Sequence, residues 1–216
     1  MSHLKVMDTT TRLVLIRHGH SIAQLEGRMA LSHDTCKGLS ELGRQQVASL
    51  CQRLAETGEL GEIDAVYTSL STRTIETCEQ LAAVLPSTYQ SECDWCESHP
   101  GESEGLLWED IEVRYPRRAG KADPFERRIP GSETWVEVYA RVGKRLNRLP
   151  LEHPGQQVVV LTHGGVVGAS FVALGDIPVG KATAFIAETR NTSITEWRHS
   201  EGEWRLVRFN DAAHLV

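Results

Sequence analysis

Short continuous apolar runs alternate along the chain with longer segments in which apolar residues recur at helical spacing. Three of the continuous runs, at 13–16, 65–68 and 157–162, predict buried strands, because a parallel strand is covered on both faces and needs apolar side chains throughout. Near the C-terminus, 193–198 and 204–209 flank a polar turn and predict a hairpin or paired edge strands.

The predicted helices are recognised by the spacing of their apolar residues and by the residues that begin them. Ser71 and Ser132 are each expected to cap a helix. The inward residues expected of the first helix are Ile75, Cys78, Leu81 and Leu85. Those expected of the second are Trp135, Val138, Tyr139, Val142 and Leu146. Further helices are predicted over 40–57, over 106–115 and from His163 to near Gly175.

Strands that alternate with helices are typical of an α/β domain in which helices cover both faces of a largely parallel sheet. We therefore predict a three-layer α/β/α sandwich whose mostly parallel sheet has an antiparallel edge strand. A single domain is expected over 1–216, with a lid-like insertion over about 96–131.

The composition limits the classes of ligand. The 216 residues carry a net charge of −6 and are 40% hydrophobic, which predicts a folded chain and argues against nucleic acid and membrane surfaces as partners. An anionic ligand would therefore need a local pocket of arginines. No apolar run reaches the length of a membrane span, no secretory signal is visible, and the five cysteines are scattered, so we expect a cytoplasmic protein.

Two distant segments share one design, in which a buried strand runs into a histidine, then glycine, then a helix. They contain His18 before Gly19, and His163 before Gly164. Ligands of open α/β sheets bind beyond the carboxyl ends of the strands, so both histidines are expected in one crevice. The glycines allow close approach of a ligand, and the helix starts supply N–H groups suited to an anion.

Arginines at these positions indicate that the anion is a phosphoryl group. Arg17 precedes His18 at the end of an apolar run, and Arg73 begins the helix after the second strand. A guanidinium can bind two phosphate oxygens at once, and charge stabilisation supplies most of the catalysis of phosphoryl transfer. Arg73 taken alone could equally be a solvated helix residue.

The order of motifs over most of the chain resembles that of the histidine phosphatase superfamily, which includes the cofactor-dependent phosphoglycerate mutases. The matching segments are Arg17–Ser21, Gly38–Gln46, Thr68–Thr77, Thr162–Val166, Asn191–Thr195 and Asn210–Leu215. Each motif is weak alone, but their shared order is a strong signal. The resemblance implies a phosphoglycerate mutase-like fold and membership of the phosphatase branch.

The resemblance also implies roles for the matching residues. His18 would attack phosphorus in line and become a phosphohistidine, in a phosphate pocket formed with Arg17, Arg73 and His163. The residues expected to bind the substrate are Arg17, Ser21, Gln24, Arg73, His163 and Gly164. His20 and Gln24 depart from the pattern, because the family commonly has Glu or Gln and Asn at these positions. These departures leave the identity of the substrate open.

A proton donor is needed because an alkoxide leaves poorly unless it is protonated. Glu97 lies in a segment that resembles the acidic segment of the family, and its competitors are Glu102 and Glu104. In the expected reaction, protonated His163 helps to hold the phosphate while neutral His18 attacks. Glu97 protonates the leaving oxygen and then activates water. This scheme requires no metal or organic cofactor, and its activity should be highest in mildly acid to neutral solution.

Three alternatives to a hydrolase acting on a small phosphate ester remain at this stage. A phosphoglycerate-type mutase would use the same phosphohistidine, although the insertions typical of mutases are not visible. A non-catalytic phospholigand-binding protein would have the same fold, but such proteins usually lack a catalytic residue. A metal enzyme could use His18 and His20, or Cys93 and Cys96 with His99, although these cysteines are more simply incidental.

The residues between Cys96 and Arg128 are expected to form a lid that selects the leaving group. Its basic cluster could bind a carboxylate or a second phosphate, or could simply be solvated, and it consists of Arg117, Arg118, Arg127 and Arg128. Nearby aromatic residues are Trp95, Trp108, Tyr115 and Phe125. The expected partner is a small-molecule phosphate ester, and the chain could also form a homodimer.

Overall fold

A computed structural model describes residues 10–117, 123–182 and 187–215. One six-stranded sheet has the order β3-β2-β4-β1-β5-β6. The strands are β1 (Thr11–Arg17), β2 (Ala65–Thr68), β3 (Gln90–Ser91), β4 (Gln157–Thr162), β5 (Ile194–Ser200) and β6 (Glu203–Asp211). The first four strands in this order pair in parallel, whereas β5 pairs antiparallel with both β1 and β6. The mostly parallel sheet with an antiparallel edge is thus confirmed, and the predicted hairpin is β5–β6.

The helices are α1 (Ile22–Leu25), α2 (Glu41–Thr57), α3 (Thr72–Gln80), α4 (Trp108–Arg114), α5 (Trp135–Glu152), α6 (Gly164–Leu174) and α7 (Val179–Ala182). Alternate side chains of β1 divide between two apolar cores. Val14 and Ile16 pack with residues of α2 and α3, whereas Leu13 and Leu15 pack with residues of α5 and α6. Because a strand has a period of two, this division places helices on both faces of the sheet and confirms the three layers. No helix of the described residues is long and apolar enough to cross a membrane.

The helix after β2 is shorter than its apolar pattern predicts. Helix α3 ends at Gln80. Leu81 and Leu85 lie in the turns that follow it, and both are buried. Ser71 occupies the cap position, but its side chain makes no capping hydrogen bond. Both leucines are thus buried although the helix does not continue to them. The spacing of apolar residues predicts their burial but not the residue at which the helix ends.

The cap predicted for α5 was wrong by two residues. Thr134, not Ser132, begins the helix, and it forms a capping box in which Glu137 N donates to Thr134 Oγ1 and Thr134 N donates to Glu137 Oε2. Trp135 is therefore the first helical residue and is 42% exposed rather than directed inward. Val138 and Val142 are fully buried as expected.

Candidate active site

The carboxyl ends of β1 and β4 bring the two motif histidines together. The strands are parallel neighbours in register, and the backbone N–H of His18 donates to Thr162 O at 3.0 Å. The rings of His18 and His163 lie 5.1 Å apart between centroids, and both residues are buried. The crevice expected from two strand–histidine–glycine junctions is therefore present.

Glycine at position 19 lets α2 pack directly against this junction. A Cβ atom at Gly19 would lie 2.8 Å from Gly43 O and 3.0 Å from a methyl group of Val47. Since real Cβ atoms do not approach backbone oxygens so closely, any larger residue would displace α2 or the His18 backbone. The motif glycine thus serves close packing behind the histidine.

Arg73 joins the two histidine rings through hydrogen bonds. Its Nε donates to His18 Nε2 at 3.2 Å, and its Nη2 lies 3.1 Å from His163 Nδ1. A guanidinium can only donate, so both ring nitrogens must present lone pairs to it. His18 Nδ1 lies 2.7 Å from Gly19 O, which can only accept, so the proton of His18 is on Nδ1. The lone pair of His18 is therefore on Nε2, where it accepts from Arg73 in this structure.

Burial keeps both histidines neutral in this site. It lowers the pKa of His18 and of His163 well below the usual range, and the charge of Arg73 acts in the same direction on both. This supports the expected neutral nucleophile at His18. Protonation of His163 is expected only with a bound phosphate, because in the ligand-free protein a second buried cation would lie next to Arg73 without an anion.

Arg17 presents an unused hydrogen-bond donor. Its Nη1 donates to Thr189 O, whereas its buried Nε has no partner among the described residues. Burial also lowers the pKa of Arg17, while the charge of Glu97 acts in the opposite direction. No carboxylate forms a hydrogen bond or a close ion pair with Arg17 or Arg73 in the described part of the chain. We refer to Arg17, His18, Arg73 and His163 as the anion pocket. Its uncompensated donors match the requirements of a bound oxyanion.

Glu97 lies beside this pocket, and its charge acts on Arg17. Its Oε1 accepts from Ser98 N at 3.1 Å and its Oε2 accepts from Gly165 N at 3.0 Å, at the N-terminus of α6. The competing carboxylates are directed elsewhere. Glu102 accepts from Tyr115 Oη at 2.9 Å, and Glu104 accepts from the backbone near residue 31 at 3.1 Å.

A cavity of about 950 Å³ opens onto these residues. Its inner wall includes Arg17, His18, His20, Ser21, Gln24, Arg73 and Glu97. Two predicted binding residues, His163 and Gly164, are not part of the cavity wall and lie behind Arg73 and Arg17. His163 would therefore reach a ligand only after Arg73 shifts.

Ser21 and Gln24 lie at the cavity but are also engaged with each other. Ser21 caps α1 through a capping box with Gln24, and Gln24 Nε2 donates to Asn191 Oδ1 at 3.3 Å. The atypical His20 lies beside them, with its Nδ1 2.8 Å from Ser40 Oγ. His20 and Gln24, the two residues that depart from the family pattern, therefore both lie at the cavity wall.

Sequence reasoning missed three residues that hold the pocket. Asn191 Nδ2 donates to His18 O at 2.9 Å, the Thr189 carbonyl accepts from Arg17, and Ser69 Oγ lies 2.7 Å from His163 Nε2. Each contact joins residues more than 90 positions apart, so no local pattern marks them. Asn191 begins a segment that resembles the family, but the resemblance implies no role for it.

The residues considered for metal binding do not assemble into a site. Cys93 Sγ lies 3.6 Å from His99 Nε2, but no group of three or more ligand-type side chains forms within residues 10–117, 123–182 and 187–215. All five cysteines are free.

The basic cluster of the expected lid is largely paired where it is described. Arg117 and Arg128 both approach Glu112, at 3.4 and 3.1 Å, and Arg127 lies 2.6 Å from Glu137. Arg118 lies outside the described residues. Arg117 and Arg128 also line the outer cavity, together with Trp108 and Trp135.

Comparison with known proteins identifies the class. The sequence profile of the histidine phosphatase superfamily (branch 1) matches residues 13–212. The chain therefore belongs to this superfamily, and the class of protein that its fold and site define is a histidine phosphatase.

Individual relatives span nearly the whole chain. A metal-independent phosphoserine phosphatase of Arabidopsis thaliana is 26% identical, with 98% of this chain and 86% of the relative covered. A glucosyl-3-phosphoglycerate phosphatase of Mycobacterium tuberculosis is 28% identical, with 89% and 86% covered. Among solved structures, the YhfR protein of Bacillus stearothermophilus has a TM-score of 0.82 at 28% identity, covering 94% of this chain and 98% of that one. These similarities confirm the phosphoglycerate mutase-like fold.

Proposed function

We propose that this chain is a phosphomonoester hydrolase of small metabolites that uses His18 as a transient phosphoryl acceptor. The observation that carries the proposal is the anion pocket, in which buried Arg73 and half-buried Arg17 form no ion pair with a carboxylate among the described residues. Buried cations are normally paired, so a site that leaves them unpaired is suited to an anionic ligand.

In the first step, Arg73 turns from the histidines to the phosphate oxygens of the substrate. This movement frees the Nε2 lone pair of His18, which attacks phosphorus in line while the bond to the leaving oxygen breaks. Glu97, in its protonated form, gives its proton to that oxygen, so the alcohol departs uncharged. Arg17 Nε donates to the transferred group and stabilises its charge.

In the second step, water attacks the phosphohistidine and regenerates the enzyme. Glu97, now a carboxylate beside the cavity, accepts the proton of that water as its oxygen bonds to phosphorus. The bond between phosphorus and His18 Nε2 breaks, and inorganic phosphate leaves. The arginines supply the positive charge, and the scheme uses no metal or organic cofactor.

The relatives support a small phosphorylated metabolite as substrate. Those described above are phosphatases of phosphoserine and of a glucosylated phosphoglycerate. A related mycobacterial phosphatase structure, 29% identical with a TM-score of 0.77, contains VO3, an analogue of a transferred phosphoryl group. We propose that the segment over about 96–131 acts as a lid, with Trp108 in contact with the leaving group.

We propose a single domain over 1–216 in the cytoplasm, which the free state of all five cysteines supports. A homodimer and the absence of a nucleic-acid partner stay predictions. Light scattering and a nucleic-acid binding assay test them.

The decisive experiment measures phosphate release from a broad panel of phosphomonoesters in the presence of a chelator. Wild type should turn over at least one ester, and His18→Ala should lose that activity while its circular dichroism stays unchanged. His33→Ala is a matched control, because His33 is exposed and lies outside the cavity wall. Full activity of His18→Ala would refute the proposal. Return of labelled phosphoryl groups to a bound sugar acid, without phosphate release, would establish a mutase instead.

A further inference from the structure

Two cysteines lie at the ends of a short turn that leads directly to Glu97. The turn is a 3₁₀ helix (Cys93–Trp95), and Cys96 N donates to Cys93 O at 2.9 Å. Such a turn keeps the Cα atoms of its first and fourth residues within about 7 Å, which overlaps the range of about 4.4–6.8 Å found in disulfides. Cys93 is exposed, whereas Cys96 is buried. The reaction described above uses neither thiol.

The two thiols are close enough to act on each other. Burial is the main cause that raises the pKa of the Cys96 thiol to about 11, and the Cys93 thiol contributes in the same direction through its charge and a hydrogen bond. A hydrogen bond with the backbone of Leu70 and the charge of Arg141 act in the opposite direction. Cys96 is therefore a protected thiol, and Cys93 is the thiol that a reagent in solution meets first.

A histidine and a carboxylate lie next to the exposed thiol. His99 Nε2 is 3.6 Å from Cys93 Sγ, and His99 Nδ1 is 3.7 Å from Glu133 Oε2. Because a carboxylate favours a proton on the nitrogen that faces it, neutral His99 carries its proton on Nδ1 and presents the Nε2 lone pair to the Cys93 thiol. A thiol, a histidine base and an orienting carboxylate in this order form the arrangement that activates a cysteine.

Arg141 connects this turn to the backbone of Glu97. Its guanidinium donates to four carbonyl oxygens at 3.1–3.3 Å, those of Cys93, Asp94, Cys96 and Glu97. The Glu97 carboxylate in turn accepts from the first turn of α6 at 3.0 Å. A change in the conformation of the turn therefore moves the backbone that carries the proposed proton donor.

Hydrogen peroxide can join the two sulfurs in two steps. In the first, the proton of Cys93 passes to His99 and the Cys93 sulfur attacks a peroxide oxygen. The O–O bond breaks, the departing hydroxide takes the proton from His99, and a sulfenic acid and one water are formed. In the second, the Cys96 sulfur attacks the Cys93 sulfur, the S–O bond breaks, and the departing hydroxide leaves as water with the Cys96 proton. Two thiols thus lose two electrons, and one peroxide molecule gains them.

We propose that Cys93 and Cys96 form a dithiol that hydrogen peroxide oxidises, and that the resulting disulfide displaces Glu97 from its position beside the anion pocket. An exposed thiol with a second thiol nearby is typical of redox-sensing sites. To bond to Cys93, the buried Cys96 sulfur must turn away from the backbone of Leu70, and Glu97 is the next residue along the chain. The effect on Glu97 rests on the proposed function, whereas formation of the disulfide does not.

The first test treats the reduced protein with one equivalent of hydrogen peroxide and maps its thiols by mass spectrometry. A disulfide between Cys93 and Cys96 should form before any other thiol reacts, and dithiothreitol should reverse it. In Cys96→Ser, Cys93 should stop at the sulfenic acid, which dimedone traps. His99→Gln should slow the oxidation about tenfold, because it removes the base. Cys51→Ser is the matched control and should behave as wild type, because Cys51 lies on α2, outside this turn.

The second test compares the kinetics of the reduced and oxidised protein. Oxidation should lower kcat for alkyl phosphates about tenfold or more, with a smaller loss for p-nitrophenyl phosphate, whose leaving group needs no proton. Dithiothreitol should restore both activities. Cys93→Ser should retain the activity of reduced wild type and should not respond to peroxide.

The inference would be overturned by earlier oxidation of another cysteine, or by a Cys93 that peroxide leaves reduced. It would also be overturned by a disulfide that leaves turnover unchanged or slows both esters equally, since Glu97 would then be unaffected. The wild-type measurements stand even if Cys96→Ser fails to fold. Reduced protein that releases phosphate from no ester would instead refute the proposed function, and the thiol map would still decide whether the dithiol exists.

Discussion

Largely buried arginines occur in two regions of this molecule, and their charges are compensated in different ways. In one region, Arg53 lies 2.7 Å from Glu59 and 2.6 Å from Asp211, Arg12 lies 2.8 Å from Glu196, and Arg208 approaches Glu196 at 3.2 Å. We refer to these six residues as the arginine network. In the anion pocket, by contrast, Arg73 donates to two neutral histidines and Arg17 leaves its Nε without a described partner.

The proposed function accounts for this difference. A buried cation without an anion is unfavourable, so the network, which only has to hold α2 against β5 and β6, contains its own carboxylates. In the proposed function, the substrate brings the negative charge that the anion pocket lacks. We therefore expect a buried arginine without a carboxylate partner to serve function in this protein. The same substitution of an arginine in each region tests this expectation.

The largest expected effect is that of Arg73→Met. Loss of this guanidinium should lower kcat/KM on the order of 10³-fold, because it stabilises the charge of the transferred phosphoryl group. The free energy of unfolding should change less than in the corresponding variant of the arginine network, because removal of a buried cation offsets the loss of a donor at His18 and His163 and leaves no carboxylate unpaired. Steady-state kinetics and urea unfolding measure the two quantities. A strongly destabilised but active variant would contradict the distinction.

A second prediction concerns Glu97, which caps a helix instead of pairing with an arginine. A Cβ atom at Gly165 would lie 2.0 Å from Glu97 Oε1, so Gly165→Ala must displace this carboxylate. We expect kcat for alkyl phosphates to fall about tenfold or more, with a smaller loss for p-nitrophenyl phosphate, whose leaving group needs no proton.

Gly168→Ala provides the matched control on the same helix. A Cβ atom there would contact nothing within 4 Å, so this variant should retain wild-type kinetics for both substrates. Equal losses for alkyl and aryl esters in Gly165→Ala would count against Glu97 as the proton donor.

Arg53→Met makes the same replacement in the arginine network that Arg73→Met makes in the anion pocket. It leaves Arg208 as the described cation paired with Glu59 and Asp211. The free energy of unfolding should fall by only about 2 kcal/mol, because Arg53 retains some exposure to solvent. Activity should remain within about twofold of wild type, since the network does not contact the cavity. Loss of activity without loss of stability would show that the two regions are not independent.

The smallest expected effect is on the pH dependence of the free energy of unfolding, which should differ between the two regions. Because burial lowers the pKa of His18 and His163 below the unfolded value near 6.5, their contribution to stability is complete above that pH and is lost as the pH falls. His214, with a pKa lowered to about 4, acts in the same direction.

The network responds at lower pH. Hydrogen bonds from Arg53 hold the pKa of Asp211 well below its usual range, so its contribution is present above about pH 4 and is lost only below it. Urea unfolding at pH 7.5, 5.5 and 3.5 should show both losses, and sulfate should reduce the first one only. A loss at pH 5.5 that sulfate leaves unchanged would contradict the assignment to the pocket.

The sequence predicted the parts of this structure that depend on local pattern. Continuous apolar runs before His18 and His163 were sufficient to identify parallel strands, and parallel strands deliver their carboxyl ends to one edge of the sheet. The capping residue of α5 and the exposure of Trp135 were predicted wrongly, because Ser132 and Thr134 are both good caps and only the packing selects between them.

The remaining features of the site depend on contacts between distant segments. The Ser69 contact with His163 and the Asn191 contact with His18 join positions that no periodicity relates. The neutral state of His163 in the free protein is likewise a result of burial beside Arg73, and a motif cannot report burial. For the same reason, the ion pairs of Arg117 and Arg128 with Glu112 became visible only in the folded chain.

The most direct test of the function proposed for the anion pocket is to trap the phosphorylated enzyme. Wild type and His18→Ala are mixed with a ³²P-labelled phosphomonoester, quenched in alkali to preserve phosphohistidine, and mapped by mass spectrometry of their peptides. The account predicts a transient, acid-labile phosphoryl group on His18 in wild type and none in the variant. Turnover with the label on another residue, or with no phosphohistidine at any time, would contradict it.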